Sequence, residues 1–208
     1  MSSTSEYFDS RARTWDADPA KVERAERVGD AIAAAVPGLS RMSVLEYGCG
    51  TGLLGFALQP KVVHVTLADS SREMLAVVRE KIQARGASNL APLELDLAAG
   101  PTLQARYDLV CTLLTLHHIA DVDGVLGKFL ELLAPGGVLC ISDLDAEDGS
   151  FHGPGFTGHH GFDRGDLGAR IERAGFRNVR FTTVHEVEKV TGAGARSFPL
   201  FLAIAERP

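Results

Sequence analysis

Apolar positions along the chain come in two alternating kinds of run. The first kind is short and nearly unbroken, at 43–47, 62–68, 90–95, 107–113 and 138–142. Strands covered on both faces read this way, because neither face can be polar. In the second kind the apolar residues recur every three or four positions, as on one face of a helix. Val22, Ala25, Val28, Ile32 and Ala35 make such a stripe in 20–36, and Met74, Leu75, Val78 and Ile82 in 72–85. A third stripe, Val125, Leu126, Phe129, Leu130 and Leu133, follows Asp121 or Asp123 as a cap, and 163–174 is a further helix ended by Gly175. Strand and helix thus alternate five times, which predicts an α/β fold: a doubly wound, mostly parallel sheet with helices on both faces. Two closing runs, 179–185 and 199–205, joined by the glycine-rich 191–197, read as an antiparallel hairpin at one edge.

Turn-forming residues punctuate the pattern where it should break. Pro19 opens the first helix and Pro37-Gly38 ends it. A helix over 51–58 stops at Pro60, Ser70 or Ser71 caps the next, and Gly86 stops that one. Gly100-Pro101 marks 98–106 as a loop, and Pro135-Gly136-Gly137 reads as a sharp turn into the fifth strand. Residues 1–18 are polar, then aromatic at Tyr7, Phe8 and Trp15: a tail docked on the core, or a flap over a ligand.

The 208 residues suit one domain over 1–208, divided into an N-terminal flap and helix (1–36), a core (40–145), and a closing loop and hairpin (146–208). A net charge of −6 with no concentrated basic face argues against nucleic acid as a partner. Cys49, Cys111 and Cys140 are far apart and form no CxxC pair, so neither a disulfide framework nor a zinc site is expected. No basic, apolar leader and no membrane-length apolar run is visible, so the expected compartment is cytoplasmic, with no membrane partner. A homodimer is compatible with these numbers.

Candidate chemistry gathers at the carboxyl ends of the strand runs, where open α/β sheets bind ligands. The first strand ends at Glu46 and breaks into Gly48, Gly50 and Gly52 around Cys49, then a helix-compatible run follows. Strand, glycine turn and helix present backbone N–H groups to a cofactor, and glycine leaves no Cβ in the way. Asp69 stands about 20 residues beyond the glycines, where an acid accepts hydrogen bonds from ribose hydroxyls. Asp96 closes the third strand, as an Asx turn or as a partner for an exocyclic amine.

V-L-E-Y-G-C-G-T-G, L-A-D-S-S with Met74, L-E-L-D-L, Y-D-L-V-C-T-L-L-T-L-H-H-I and L-A-P-G-G-V-L-C-I-S-D follow one another over 44–143. In that order they resemble the class I S-adenosylmethionine-dependent methyltransferases of the small-molecule type. Y-F-D-S-R-A-R-T-W-D near the start is similar to the N-terminal segment of such enzymes. The resemblance implies a Rossmann-like sheet of seven strands with the last antiparallel, and S-adenosyl-L-methionine as cofactor. It assigns Glu46, Gly48, Cys49, Gly50 and Gly52 to the methionine moiety, and Asp69 to the ribose. Ser70, Met74, Asp96 and Leu97 would surround the adenine, Thr112 and Leu113 would line the sulfonium region, and Trp15 would close the cofactor side.

The acceptor is less defined. A base is needed only if the acceptor must lose a proton, and His117, His118 and His160 are the catalytic candidates, with His152 and His159 also considered. Tyr7, His117, Phe151, His152, His159 and Phe162 are the candidate acceptor contacts. Three histidines within 152–160 raise the question of a metal, but no carboxylate is placed with them in sequence, so none is expected. Strand four lacks the Asn/Asp-Pro-Pro-aromatic tetrapeptide of amide- and nucleobase-nitrogen enzymes, and no Pro-Cys pair supplies a thiolate. A small-molecule O, N or C acceptor, methylated by in-line displacement, is the expected partner. An NAD-dependent oxidoreductase and a non-catalytic cofactor-binding protein are the alternatives.

Overall fold

A computed structural model describes residues 4–100, 103–192 and 194–208; Pro101 and Ala193, expected in turns, lie outside them. The chain opens with α1 (Thr4–Asp9), a 3-10 turn (Ala12–Ala17) and α2 (Pro19–Ala35). Then come β1 (Ser43–Tyr47), α3 (Leu53–Leu58), β2 (His64–Asp69), α4 (Arg72–Arg85), β3 (Leu90–Glu94), β4 (Tyr107–Leu113) and α5 (Val122–Leu132). It closes with β5 (Leu133–Leu144), α6 (Arg164–Arg173), β6 (Arg177–Thr191) and β7 (Gly194–Glu206). Among the described residues no helix is long and apolar enough to cross a membrane.

All seven strands form one sheet in the order β3-β2-β1-β4-β5-β7-β6. β7 runs antiparallel to β5 and β6, and the β1–β5 pairings are parallel. Strand order reverses between β1 and β4, which opens a crevice at their carboxyl ends. Side chains alternate across the sheet into two cores. Leu45, Val110, Leu139 and Phe201 face α5 and α6, whereas Val44, Leu109, Cys140 and Leu202 face α2, α3 and α4. Both faces are covered, which is why the strand runs lack polar alternation.

The helix signals act as read. Asp18 caps α2 with Pro19 at its first position, Ser71 caps α4, Gly86 ends it at φ +61°, and Asp121 caps α5. Three boundaries differ. Residues 51–52 belong to the glycine turn, so α3 starts at Leu53. Pro135-Gly136-Gly137 is an arch within β5, because Gly136 and Gly137 exchange backbone hydrogen bonds with Arg207 and so continue the sheet. The closing hairpin is longer than its apolar residues suggest, because backbone pairing from Glu186↔Pro199 to Thr191↔Gly194 carries polar side chains into the ladder.

The packing of α3 on β2 leaves no room at Gly55. A Cβ there would collide with the side chain of Leu67 and lie 2.6 Å from Glu46 Oε2. Alanine ordinarily favours a helix over glycine by roughly 1 kcal/mol, but overpacking costs about 1–3 kcal/mol. Gly55→Ala should therefore lower the thermal midpoint, and a midpoint equal to or above wild type in a thermal melt would contradict this packing.

Candidate functional site

The crevice at the β1/β4 switch is a cavity of about 460 Å³. Its floor is the turn after β1, where Gly48, Gly50 and Gly52 have φ of +68°, +53° and +81°. Gly48 has no space for a side chain, because a Cβ would run into Thr115, whose Oγ1 lies 3.1 Å from the Gly48 carbonyl oxygen. At Gly50 the nearest atom to a Cβ would be Met74 Sδ at 3.9 Å, so the backbone there is open to a ligand.

Asp69, at the end of β2, holds this turn. One carboxylate oxygen accepts from Gly50 N at 2.7 Å and the other from Ser71 N at 2.8 Å. A carboxylate has about four acceptor positions, so both oxygens keep capacity for hydroxyl donors in the cavity. Burial pushes the Asp69 pKa upward against those hydrogen bonds. Glu46 is deeper and only 2% exposed; its Oε2 accepts from Gly55 N at 2.8 Å. Burial raises its pKa to about 8, and Asp69 adds to that rise.

Asp96, exposed at the cavity rim, accepts from Ala98 N at 2.8 Å and Ala99 N at 3.2 Å, which is the Asx-turn geometry. Tyr47 carries a role its sequence position did not signal. Its hydroxyl oxygen accepts from Leu97 N at 3.1 Å and so fixes the loop after β3, while burial lifts its pKa to about 12. After β4, Leu114 stands at φ +51°, an uncommon conformation for a branched side chain, and lines the cavity with Leu113 and Thr115. Phe8 of α1 and Trp15 of the 3-10 turn also line it.

Trp15, Glu46, Gly48, Cys49, Gly50, Asp69, Ser70, Met74, Asp96 and Leu113 all border this cavity. Gly52, Leu97 and Thr112 do not. Gly52 caps α3, Leu97 is buried in the core beneath its loop, and Thr112 is turned inward with its Oγ1 unpartnered among the described residues. The inward turn of Thr112 follows from strand alternation, which sends its neighbour Leu113 to the cavity.

A second cavity, of about 680 Å³, adjoins the first. Tyr7, Phe8, His118, His152, Phe156 and His159 line it. Loop 146–162 reaches this place because His159 N donates to the His117 carbonyl oxygen at 2.7 Å, and Gly158 lies so close to that oxygen that a Cβ would overlap it. Phe156 stacks on His152 with ring centroids 3.9 Å apart.

The other candidates lie elsewhere. Phe162 packs into the main core and Phe151 into a small cluster with Leu144, Phe198 and Leu200. His160 is about half exposed, with Nδ1 3.4 Å from Glu147, and borders neither cavity. His117 is 1% exposed, and its Nδ1 lies 2.7 Å from the fully buried Asp143. Burial depresses the pKa of His118 to about 3 and that of His152 to about 4. Rings so depressed are weak bases near neutral pH, so His118 serves as an uncharged wall between the cavities.

With this geometry in place, the class is defined by comparison. A family model described as a methyltransferase domain matches residues 21–180. The chain belongs to the class I S-adenosylmethionine-dependent methyltransferase family. It is 32% identical over 121 residues to an uncharacterized methyltransferase of Schizosaccharomyces pombe, covering 55% of this chain and 43% of that protein. It is 34% identical over 103 residues to the demethylmenaquinone methyltransferase of Thermus thermophilus, covering 49% and 46%. The chain thus spans less than half the length of these two relatives. The crystal structure of magnesium protoporphyrin IX methyltransferase from Synechocystis, which holds S-adenosylhomocysteine, superposes with a TM-score of 0.67 at 19% identity, over 91% of this chain and 84% of that one.

The residues present fit the family's cofactor. A backbone cradle is open at Gly50, two acids stand at neighbouring strand ends, and Lys21 and Arg24 border the same cavity. Glu46 supplies a pH test. Its pKa is near 4.5 when unfolded and about 8 when folded, so its favourable contribution is complete below pH 4.5 and is lost as pH rises through 8. Glu46→Gln keeps an acceptor for Gly55 N but cannot ionise. Denaturant midpoints compared at pH 5 and pH 8 should show wild type losing stability relative to the variant by on the order of a few kcal/mol; parallel pH dependence would refute the assignment.

Proposed function

We propose that the protein transfers a methyl group from S-adenosylmethionine to a small-molecule acceptor held in the second cavity. The observation that carries this reading is the shared wall: Phe8, His118 and Ala120 border both cavities, so a donor in one meets an acceptor in the other. The cofactor supplies a methyl group on a cationic sulfur, which leaves readily to a nucleophile in line with it. The chain's own part is alignment and exclusion of water.

Asp69 accepts from the ribose hydroxyls, and Asp96, Ser70 and Met74 border the adenine. Lys21 and Arg24 take the amino-acid carboxylate. Support comes from Arg24, whose Nε is buried with no hydrogen-bond partner among the described residues and whose pKa is lowered by burial. Such a donor is costly until something accepts from it. Glu46 at the other end, its pKa raised to about 8 by burial, would gain from ionising beside the cofactor's cationic groups.

The acceptor side is aromatic. Its lining carries rings from Tyr7, Phe8 and Phe156, and no lysine, arginine or carboxylate among the described residues. That composition favours a flat, largely uncharged molecule bearing an O, N or C nucleophile. With no strong base at hand, an acceptor atom that is nucleophilic without prior deprotonation fits best.

Methyl transfer is tested with labelled S-adenosylmethionine against a panel of aromatic hydroxyl, amine and activated-carbon acceptors. Transfer to any member supports the reading, whereas tight binding of S-adenosylhomocysteine without transfer across the panel would support a non-catalytic cofactor-binding protein. In calorimetric titration, Asp69→Asn should weaken S-adenosylhomocysteine by about 1.5–3 kcal/mol, the scale of a hydrogen bond to a charged group. An unchanged affinity would remove Asp69 from the ribose site.

The N-terminal segment is the proposed cover. It is held by Arg13–Glu80 at 2.6 Å, Lys81–Asp16 at 2.7 Å and Ser71–Asp9 at 2.5 Å. Arg13–Glu80 is an exposed pair that contributes roughly 0–1 kcal/mol, and Lys81–Asp16 and Ser71–Asp9 are partly buried. S-adenosylhomocysteine should slow proteolysis at Arg11 and Arg13, and equal cleavage rates with and without it would argue against a flap.

A further inference from the structure

We infer that His117, His118 and His152 form a binding site for one divalent transition-metal ion of zinc type, with Asp143 orienting His117 and an open coordination position facing the second cavity. One ring nitrogen of each histidine lies within 4.8 Å of the others. His117 Nε2 and His152 Nε2 are 3.0 Å apart. Nitrogens bound to one tetrahedral zinc at about 2.0–2.1 Å would stand roughly 3.3 Å from each other. One pair is already near that spacing, and the third ring's nitrogen, within 4.8 Å of the others, must close by up to about 1.5 Å.

Asp143 provides the feature that distinguishes a built site from three adjacent rings. It is fully buried, and its Oδ1 lies 2.7 Å from His117 Nδ1. The same carboxylate accepts from His117 N at 3.2 Å and Leu144 N at 2.8 Å, so it cannot swing away. With the proton of His117 held on Nδ1, the Nε2 lone pair points into the cluster. Carboxylate behind histidine is the arrangement that fixes tautomer and ring direction in metal sites. Phe8 and Phe156 pack against His118 and leave the cluster an apolar rim. His152 and His118 both border the second cavity, which supplies a path for entry.

The donor set limits the ion. Three imidazoles with no thiolate or carboxylate in direct reach suit zinc, cobalt, nickel or copper, and do not suit magnesium or calcium, which take oxygen. Three protein ligands with an open fourth position are the pattern of sites that bind a further ligand. In sequence, histidines 152, 159 and 160 have no carboxylate placed with them. Folding selects a different trio, and its carboxylate sits at the end of β5. The same contacts also make an Asp143–His117–His152 hydrogen-bond chain without metal, and that is the outcome the experiment must separate.

Untagged, chelator-treated protein is titrated with Co²⁺ and the ligand-field absorption followed, then Zn²⁺ is added in competition. One equivalent of Co²⁺ should bind with a tetrahedral or five-coordinate visible spectrum, and Zn²⁺ should displace it. His152→Ala should weaken binding at least tenfold and His185→Ala, remote from the cluster, should leave it unchanged. Asp143→Asn should weaken it about 10- to 100-fold. If that buried variant fails to fold, His152→Ala on the loop still decides. Absence of a stoichiometric spectrum, or equal affinity in wild type and His152→Ala, would overturn the site and leave the hydrogen-bond chain. The readout is metal binding, so it is independent of whether methyl transfer is found.

Discussion

The carboxylate of Asp69 is the constraint on which the cofactor side depends. It reaches from the end of β2 to Gly50 N in the turn after β1 and to Ser71 N at the start of α4. Two adjacent strand ends and a helix start are thereby tied through one side chain. Other bonds add to this hold: Cys49 N donates to the Ala68 carbonyl at 2.9 Å, Gly52 N to the Cys49 carbonyl at 2.8 Å, Lys81 Nζ to the Thr51 carbonyl at 2.8 Å, and Thr115 bonds Gly48 from β4's side. A turn with three glycines at positive φ has high backbone entropy when free. Hydrogen bonds from neighbouring strand ends select one conformation, and that conformation leaves the floor of the cavity open at Gly50.

Glu46 adds a second constraint of opposite character. It is buried where ionisation is disfavoured, so its pKa rises to about 8 while it still accepts from Gly55 N. Burial is the larger cause of that rise and Asp69 the smaller one, so near neutral pH Glu46 is mostly protonated. A cationic ligand beside it would favour the ionised form and draw its pKa back down.

The cofactor side was largely legible because its determinants are local. Glu46, the glycines and Asp69 lie within one strand–turn–helix–strand unit, and strand alternation places their side chains. Thr112, Leu97 and Gly52 do not border the cavity, because they face inward or cap a helix, and one-residue offsets decide such cases. Tyr47 carries no sequence signal of its role, since a tyrosine inside an apolar strand reads as core, and only its hydroxyl on Leu97 N reveals it. Boundary errors in β5 and β6 have a different cause: backbone pairing with β7 and Arg207 extends strands through glycine and polar residues that carry no apolar signal.

The acceptor side was illegible for a physical reason. It is assembled from α1, the turn 114–120 and loop 146–162, segments far apart in sequence. Histidine count alone pointed to 152, 159 and 160, yet His160 faces away and His159 spends its Nε2 on the Ile119 carbonyl at 3.0 Å. What brings His152 to His117 is a backbone bond, His159 N to His117 O, made possible by the missing side chain of Gly158. A glycine in a glycine-rich loop carries no signal of that kind in one sequence. The same docking sets His152 beside a histidine already locked by Asp143, and so converts a loop residue into the third member of a cluster. On the proposed function, acceptor specificity and any chemistry of the histidines would be coupled, since both would depend on loop 146–162 sitting where Gly158 allows it to sit.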